Sequence, residues 1–238
     1  LVMISPSDNS LIMDGGEERR KFMNGVISQY DKNYLHYIIR YNRALTQRNK
    51  HLKAIDDQKD PNPDVLAAFN DQLVRYGQDI FEKRKHFVED LIPVFSKFYQ
   101  YISDERERVS LVYNSQLSDK PMDQLLEGSL HKDRVLQYTT AGIHRDDLTM
   151  ELGGYPIKKV GSQGQQKTFQ VALKLAKFEF IKKVSGKAPI LLLDDIFDKF
   201  DALRVEKIIR LVSENGFGQI FITDTHEERM QDVISRIN

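Results

Sequence analysis

The sequence predicts an α/β fold in which a sheet with helices is joined to a hairpin of two long antiparallel helices. Three observations carry that reading. Apolar residues recur at helical spacing from Phe22 to Ile55 and again from Phe69 to Ile102, with Asp60-Pro61-Asn62-Pro63-Asp64 between the two stripes. Pro189-Ile190-Leu191-Leu192-Leu193 is a short continuous apolar run, the pattern of a strand buried on both faces. Past Asp104, strand-like and helix-like segments follow one another at the spacing of a layered sheet.

Size and composition fit this class. With 238 residues, 40% hydrophobic and 29% charged, the chain fills one or two domains with a real core and is not a disordered, collagenous or disulfide-stapled protein. The absence of Cys excludes thiol catalysis and Cys-ligated zinc or iron–sulfur centres, and it permits a reducing compartment. No apolar run approaches the roughly 20 residues of a membrane span, and no signal-peptide pattern opens the chain. An opening Leu-Val-Met-Ile-Ser, in place of an initiator Met, predicts a piece of a longer protein.

Taken in order, Asp14-Gly15-Gly16-Glu17-Glu18 reads as a turn feeding an acidic first helical turn, where carboxylates favour the helix dipole. Phe22, Val26, Tyr30, Tyr34, Ile38, Tyr41, Leu45, Leu52 and Ile55 then form one stripe. The spacing predicts a single helix of about 40 residues, roughly 60 Å long. The Pro-rich segment breaks it, and Phe69, Leu73, Tyr76, Ile80, Phe87, Leu91, Phe95, Phe98 and Ile102 mark the return helix. Pro93 inside that stripe predicts a kink or a split. The aromatic stripes read as core. Arg19, Arg20, Lys21, Arg40, Arg43, Arg48, Lys50 and Lys53 read as exposed cations that either grip phosphates or keep the surface soluble.

Beyond the hairpin, Arg108–Tyr113 and Asp147–Leu152 alternate as strands, the latter before a Gly153-Gly154 turn, with a helix from Met122 to Tyr138 between them. Phe169, Ala172, Leu173, Ala176 and Phe180 mark the apolar face of another helix, with Lys167 and Lys174 roughly opposite. A helix over 202–213, a strand over 219–223 and a last helix from about Glu227 complete the pattern.

The formal charge is zero, but the charges are sorted: eight Lys against Glu179 between Lys158 and Lys187, then Asp194, Asp195, Asp198 and Asp201 in one short stretch. A basic stretch beside an acidic knot suits an anionic ligand handled through a metal ion, and equally a solvated helix face beside an acidic loop. A buried strand ending in Asp194-Asp195 delivers both carboxylates at the carboxyl end of a sheet, where α/β proteins bind ligands. One carboxylate there can hold Mg²⁺ and the next can take a proton from an attacking water. About 30 residues upstream, Gly161-Ser162-Gln163-Gly164-Gln165-Gln166-Lys167-Thr168 opens a helix; Ser162 is a natural N-cap, Gln165 completes a capping box, and Gly164 permits close approach. A helix start of this kind offers N–H groups to phosphate oxygens, or is simply a capped helix.

In this order, Ser-x-Gly-Gln opening a helix, an apolar strand with Asp-Asp, and Phe197-Asp198-Lys199-Phe200-Asp201 resemble the signature, Walker B and D-loop series of ATP-binding-cassette ATPases. Thr140-Ala141-Gly142-Ile143-His144-Arg145-Asp146-Asp147-Leu148, Gly16-Glu17-Glu18-Arg19-Arg20-Lys21-Phe22 and Tyr41-Asn42-Arg43-Ala44-Leu45-Thr46-Gln47-Arg48-Asn49 narrow the resemblance to the RecF family of bacterial recombination mediators. The resemblance runs from Met3 to about Thr225.

It implies part of an ABC/SMC-type ATPase head, a mixed sheet with helices, carrying an inserted helical arm. Residues 1–16 would join head to arm, 17–103 would form the arm with its turn near 57–64, and 104–238 would be the C-terminal part of the head. Carried over by position, Ser162, Gly164 and Gln165 would contact the γ-phosphate of ATP held by the opposite protomer. Asp194 would hold Mg²⁺, Asp195 would be the catalytic base, and Asp201 would be the D-loop acid crossing the dimer interface. Asp195 stands where many cassette ATPases have Glu, one methylene longer, which fits slow turnover.

The resemblance further implies an ATP-dependent homodimer that binds double-stranded DNA and single/double-strand junctions. It would work with RecR and RecO in loading RecA at gaps, in the cytoplasm at the nucleoid and away from membranes. No Gly-x-x-x-x-Gly-Lys-Ser/Thr phosphate loop occurs here, so the 238 residues alone are expected to be inactive as an ATPase. The switch position after the last strand falls on Asp224, Thr225 or His226.

Two other classes stay open on the residues alone: a non-enzymatic helical-hairpin interaction module, and the head of another chromosome-organising ATPase with a longer arm. His36, His51, His86 and His131 lack ligand spacing, and no Ser/His/Asp arrangement points to a hydrolase. His144-Arg145-Asp146-Asp147 reads as a salt-bridged turn more readily than as a metal site.

Overall fold

Strand β1 (Val2–Ile4) pairs in parallel with β5 (Leu191–Asp194), which pairs in parallel with β6 (Ile220–Thr223). The computed structural model describes residues 1–5, 9–54, 63–104, 107–195, 200–214 and 216–224. Register sets Ile4 beside Leu193 and Leu193 beside Ile222, so Ile4, Leu191 and Leu193 are buried on one face. On the other face Met3, Leu192 and Phe221 lie side by side, and Met3 and Phe221 are 42% and 49% exposed. The apolar run is a strand, as expected, and the central one of its sheet, but the expected burial on both faces is corrected: it is fully buried on one face only.

Along the chain, α1 (Ser10–Met13), α2 (Gly16–Tyr30), α3 (Lys32–Ala54) and α4 (Pro63–Ser103) follow β1. Next come β2 (Val109–Asn114), α5 (Met122–Leu136), β3 (Asp147–Leu152), β4 (Tyr155–Pro156), α6 (Ile157–Val160), α7 (Gln163–Ser185) and α8 (Ala202–Glu214). Strands β2, β3 and β4 form a second sheet in that order, with β3 and β4 antiparallel. The architecture is mixed α/β, as the sequence predicts.

The chain forms two compact units. One comprises Leu1–Glu18, Glu89–Val112 and Thr149–Asn238, with the parallel sheet and α7; the other comprises Arg19–Val88 and Tyr113–Leu148, with α3, α5 and the first part of α4. In the first, α7 is buried nearly all round, from Thr168 through Leu173 and again at Leu175, Ala176, Phe178 and Phe180. Phe169 packs on Phe95 and Phe178 on Phe217, each with ring centroids 4.6 Å apart.

Two expectations for the long helices are corrected. The first stripe is not one helix: it divides between α2 and α3 at Asp31. Asp31 Oδ1 accepts from the Tyr34 amide at 2.9 Å, capping α3, while its other oxygen pairs with Lys83. The apolar periodicity runs through the break, so the stripe alone hides it. Pro93 does not split the second helix, since α4 is helical from Pro63 to Ser103. Pro93 lies on the exposed face, where water can satisfy the carbonyl it leaves without a partner. The turn near 57–64 falls largely on residues outside those described, as does the helix expected after Glu227.

Candidate functional site

The start of α7 is built as a capping box. Ser162 sits just before the helix, its Oγ accepts from the Gln165 amide at 3.3 Å, and Gln165 Oε1 accepts from the Ser162 amide at 2.7 Å. The first intrahelical bond runs from Gln166 N–H to the Ser162 carbonyl at 2.9 Å. Two amides of the first turn, those of Gln163 and Gly164, are left with no acceptor among the described residues. Because the Ser162 oxygen already accepts a bond, its hydroxyl proton is free to donate elsewhere. Ser162 and Gln163 are exposed and Gly164 is half-buried beside Arg204.

A cation lies against this helix start. A Cβ on Gly164 would come within 2.5 Å of Arg204 Nη1, so glycine there leaves room for the guanidinium. Arg204 also reaches Asp201, Nη1 to Oδ2, at 3.3 Å. Asp201 caps α8, its Oδ1 accepting from the Arg204 amide at 3.0 Å. The expected D-loop acid and the expected signature glycine are thus linked through one arginine that the sequence reading passed over. Gln165 is itself held: its Nε2 donates to Glu107 at 2.8 Å, and Glu107 also accepts from the Tyr99 hydroxyl. Burial, then the Glu107 carboxylate, push the Tyr99 hydroxyl far above its ordinary range, so it remains a donor.

The carboxylate pair stands where the strand pattern puts it, at the carboxyl end of β5. Asp194 is opposite Thr223 in register, and its Oδ1 accepts from Thr223 Oγ1 at 2.6 Å. Asp195 has left the strand: its backbone is left-handed, with φ of 50°, and its amide donates to the Thr223 carbonyl at 3.0 Å. Asp is one of the few side chains that tolerate this region. Asp195 Oδ1 is buried with no hydrogen-bond partner among the described residues. Among the described residues no three His, Asp or Glu side chains gather as metal ligands. A cation here would rest on the Asp194 carboxylate plus water and substrate oxygens, which is the habit of Mg²⁺. Asp198, Thr225 and His226 lie outside the described residues, and Asp224 directly follows β6.

No protein-family model matches the chain. Curated relatives do. It is 52% identical over 234 residues to the DNA replication and repair protein RecF of Flavobacterium johnsoniae, a match covering 98% of this chain and 65% of that protein. It is also 52% identical over 238 residues to the same-named protein of Parabacteroides distasonis, covering 100% of this chain and 64% of the relative. The chain belongs to the RecF family. It spans about 65% of the length of the curated relatives it matches. A solved structure of the recombination mediator protein RecF with ATP, of the RecFOR pathway, superposes with a TM-score of 0.83 at 31% identity, over 95% of this chain and 62% of that one. The Smc head domain of Pyrococcus furiosus shares the fold alone, with a TM-score of 0.51 at 16% identity, over 97% of this chain and 56% of that one.

The remaining RecF-family segments meet in the second unit and hold it together. Arg48, which the sequence reads as exposed, is fully buried and pairs with buried Asp133 at 2.7 Å while also donating to Thr139 and Asn70. Arg19 binds Asp147 through two bonds, at 2.6 and 2.9 Å, and Arg20 donates to the Asp146 carbonyl at 2.7 Å. The exposed-cation reading is therefore corrected: Arg48 is buried because Asp133 faces it, and Arg19 and Arg20 are half-buried with their guanidinium groups engaged at Asp147 and Asp146. The turn at His144–Asp147 is salt-bridged, as expected. Gly142, with φ of 123°, is required there, since a Cβ would meet Met122 at 2.5 Å and the Tyr41 hydroxyl at 2.7 Å. His144 Nε2 lies 3.0 Å from the Thr139 carbonyl, which can only accept, so Nδ1 is the acceptor for the Tyr41 hydroxyl at 2.9 Å. Burial, aided by Arg145 and Arg20, pulls the His144 pKa down to about 4 and keeps the ring neutral.

Proposed function

We propose that this chain supplies the signature, Walker B and D-loop parts of a RecF-type ATPase head that dimerises around ATP. The observation that carries the reading is the solvent-facing start of α7, where the Gln163 and Gly164 amides and the Ser162 hydroxyl proton are left without acceptors beside Arg204. Such a cluster of donors matches a phosphate with no protein partner of its own.

In this reading Ser162, Gly164 and Gln165 bind the γ-phosphate presented by the opposite protomer, so ATP joins the two heads. Asp194 holds Mg²⁺, which when bound neutralises phosphate charge. Asp195 accepts the proton of the attacking water, and its buried, unpartnered oxygen is suited to that task. The short Asp side chain makes turnover slow. Asp201, on the exposed cap of α8, reaches across the interface. The open row of Met3, Leu192 and Phe221 packs against further sheet of the same head in the full-length protein. Residues 17–103 serve as the arm and the rest as head. The dimer acts on double-stranded DNA and strand junctions with RecR and RecO, in the cytoplasm at the nucleoid; among the described residues no helix is long and apolar enough to cross a membrane.

The test is Asp195→Asn in the full-length protein. Loss of the proton acceptor slows hydrolysis at least tenfold, while ATP-dependent dimerisation persists because the phosphate contacts remain. Unchanged turnover would remove Asp195 as the base.

A further inference from the structure

The amide of Gln165 has two faces, and only one orientation serves the cap. Its oxygen must point at the Ser162 amide, and in the structure it does so at 2.7 Å. The opposite orientation would aim –NH₂ at that N–H and cost the capping box one of its two bonds. What selects the orientation is Glu107. A carboxylate can only accept, so it takes the Gln165 Nε2 proton at 2.8 Å and fixes the oxygen toward Ser162. Glu107 lies 58 residues before Gln165, outside the helix it acts on. It is held in turn by the hydroxyl of Tyr99, a fully buried side chain near the end of α4. Tyr99, Glu107, Gln165 and Ser162 all belong to the same compact unit.

We infer that Glu107 and Tyr99 are positioning residues for the signature site: they set the Gln165 amide, and through it the cap on the Ser162 backbone N–H. The inference rests on the ATP-sandwich reading above and adds two residues that touch neither phosphate nor metal. Without Glu107 the Gln165 amide is oriented by the Ser162 N–H alone, so the cap on that N–H is made less of the time and the loop entering α7 is held less firmly.

The experiment uses the full-length protein and reads ATP-dependent dimerisation by sedimentation, with monomer ATP affinity and thermal melting measured beside it. Glu107→Ala weakens dimerisation about tenfold and Tyr99→Phe about threefold, the scale of one or two lost hydrogen bonds, while ATP affinity of the monomer stays as it was. Glu107→Gln retains an accepting oxygen and restores dimerisation to within about threefold. Glu107→Lys presents only donors, forces the amide to flip, and is the most damaging of the set.

Because Glu107 acts through Gln165, Glu107→Ala adds nothing to Gln165→Ala, whereas an independent structural role would give additive losses. Additive losses, or a Glu107→Ala protein that melts normally and dimerises fully, overturn the inference. Ser162→Arg separates this from the parent reading. If it blocks dimerisation and Glu107→Ala does not, only the positioning role falls. If neither does, the sandwich reading falls with it.

Discussion

Arg84 and Asp146 form a buried ion pair, Nη1 to Oδ2 at 2.7 Å, with neither side chain more than 2% exposed. The guanidinium also donates to the Tyr34 hydroxyl, the Ile143 carbonyl and Asn24, so one side chain of α4 ties together α2, α3 and the turn before β3. Asp146 in turn accepts from Tyr113 at 2.6 Å. The guanidinium is met by several partners, whereas Asp146 takes these bonds on Oδ2 and keeps a buried Oδ1 with no partner among the described residues, so the pair depends on Arg84 staying in place.

Removing one partner strands the other. Asp146→Ala should therefore cost about 3–5 kcal/mol, seen as a fall in the urea midpoint at unchanged slope. A loss under about 1 kcal/mol would mean that water reaches Arg84 and the pair is not isolated.

Acid should loosen the same unit through His144. Its folded pKa of about 4 lies below the ordinary 6.5, so the unfolded chain binds the extra proton between those values. The contribution to stability is complete above about pH 6.5 and is lost as pH falls toward 4, at up to about 1.4 kcal/mol per pH unit. Denaturant unfolding from pH 7.5 to 4.5 should show a slope flatter by that amount in His144→Phe. Equal slopes would show that His144 is protonated as readily folded as unfolded.

Much of this was legible in local pattern. The β5 run, the Ser162–Gln165 box and the Asp194-Asp195 terminus are each written in a few adjacent residues, and each stands where those residues put it. The break at Asp31 was not legible, because apolar spacing continues across it and only the cap and the Lys83 pairing end the helix. The burial of Arg48 is hidden for a related reason: nothing near it in sequence announces Asp133, 85 residues away. Arg204 and Glu107 carry no local signal, because their roles lie in long-range contacts with Gly164 and with Gln165.

The 238 residues alone should bind ATP no more tightly than millimolar, since they contain no phosphate loop to supply the β- and γ-phosphate contacts. Titration with labelled ATP checks this. A micromolar dissociation constant would place the nucleotide on residues other than those assigned.

The most direct test of the ATP-sandwich reading is ATP-dependent sedimentation of the full-length protein carrying Ser162→Arg, with a thermal melt as control. As a helix cap alone, Ser162 is worth about 1 kcal/mol, and its loss leaves ATP responses intact. Facing a γ-phosphate across the dimer, the bulky replacement blocks closure although it is positive. The reading predicts a protein that melts within a few degrees of the parent and binds ATP as a monomer, yet no longer dimerises or hydrolyses ATP. A variant that melts normally and still dimerises with ATP would contradict it and favour a helical scaffold instead.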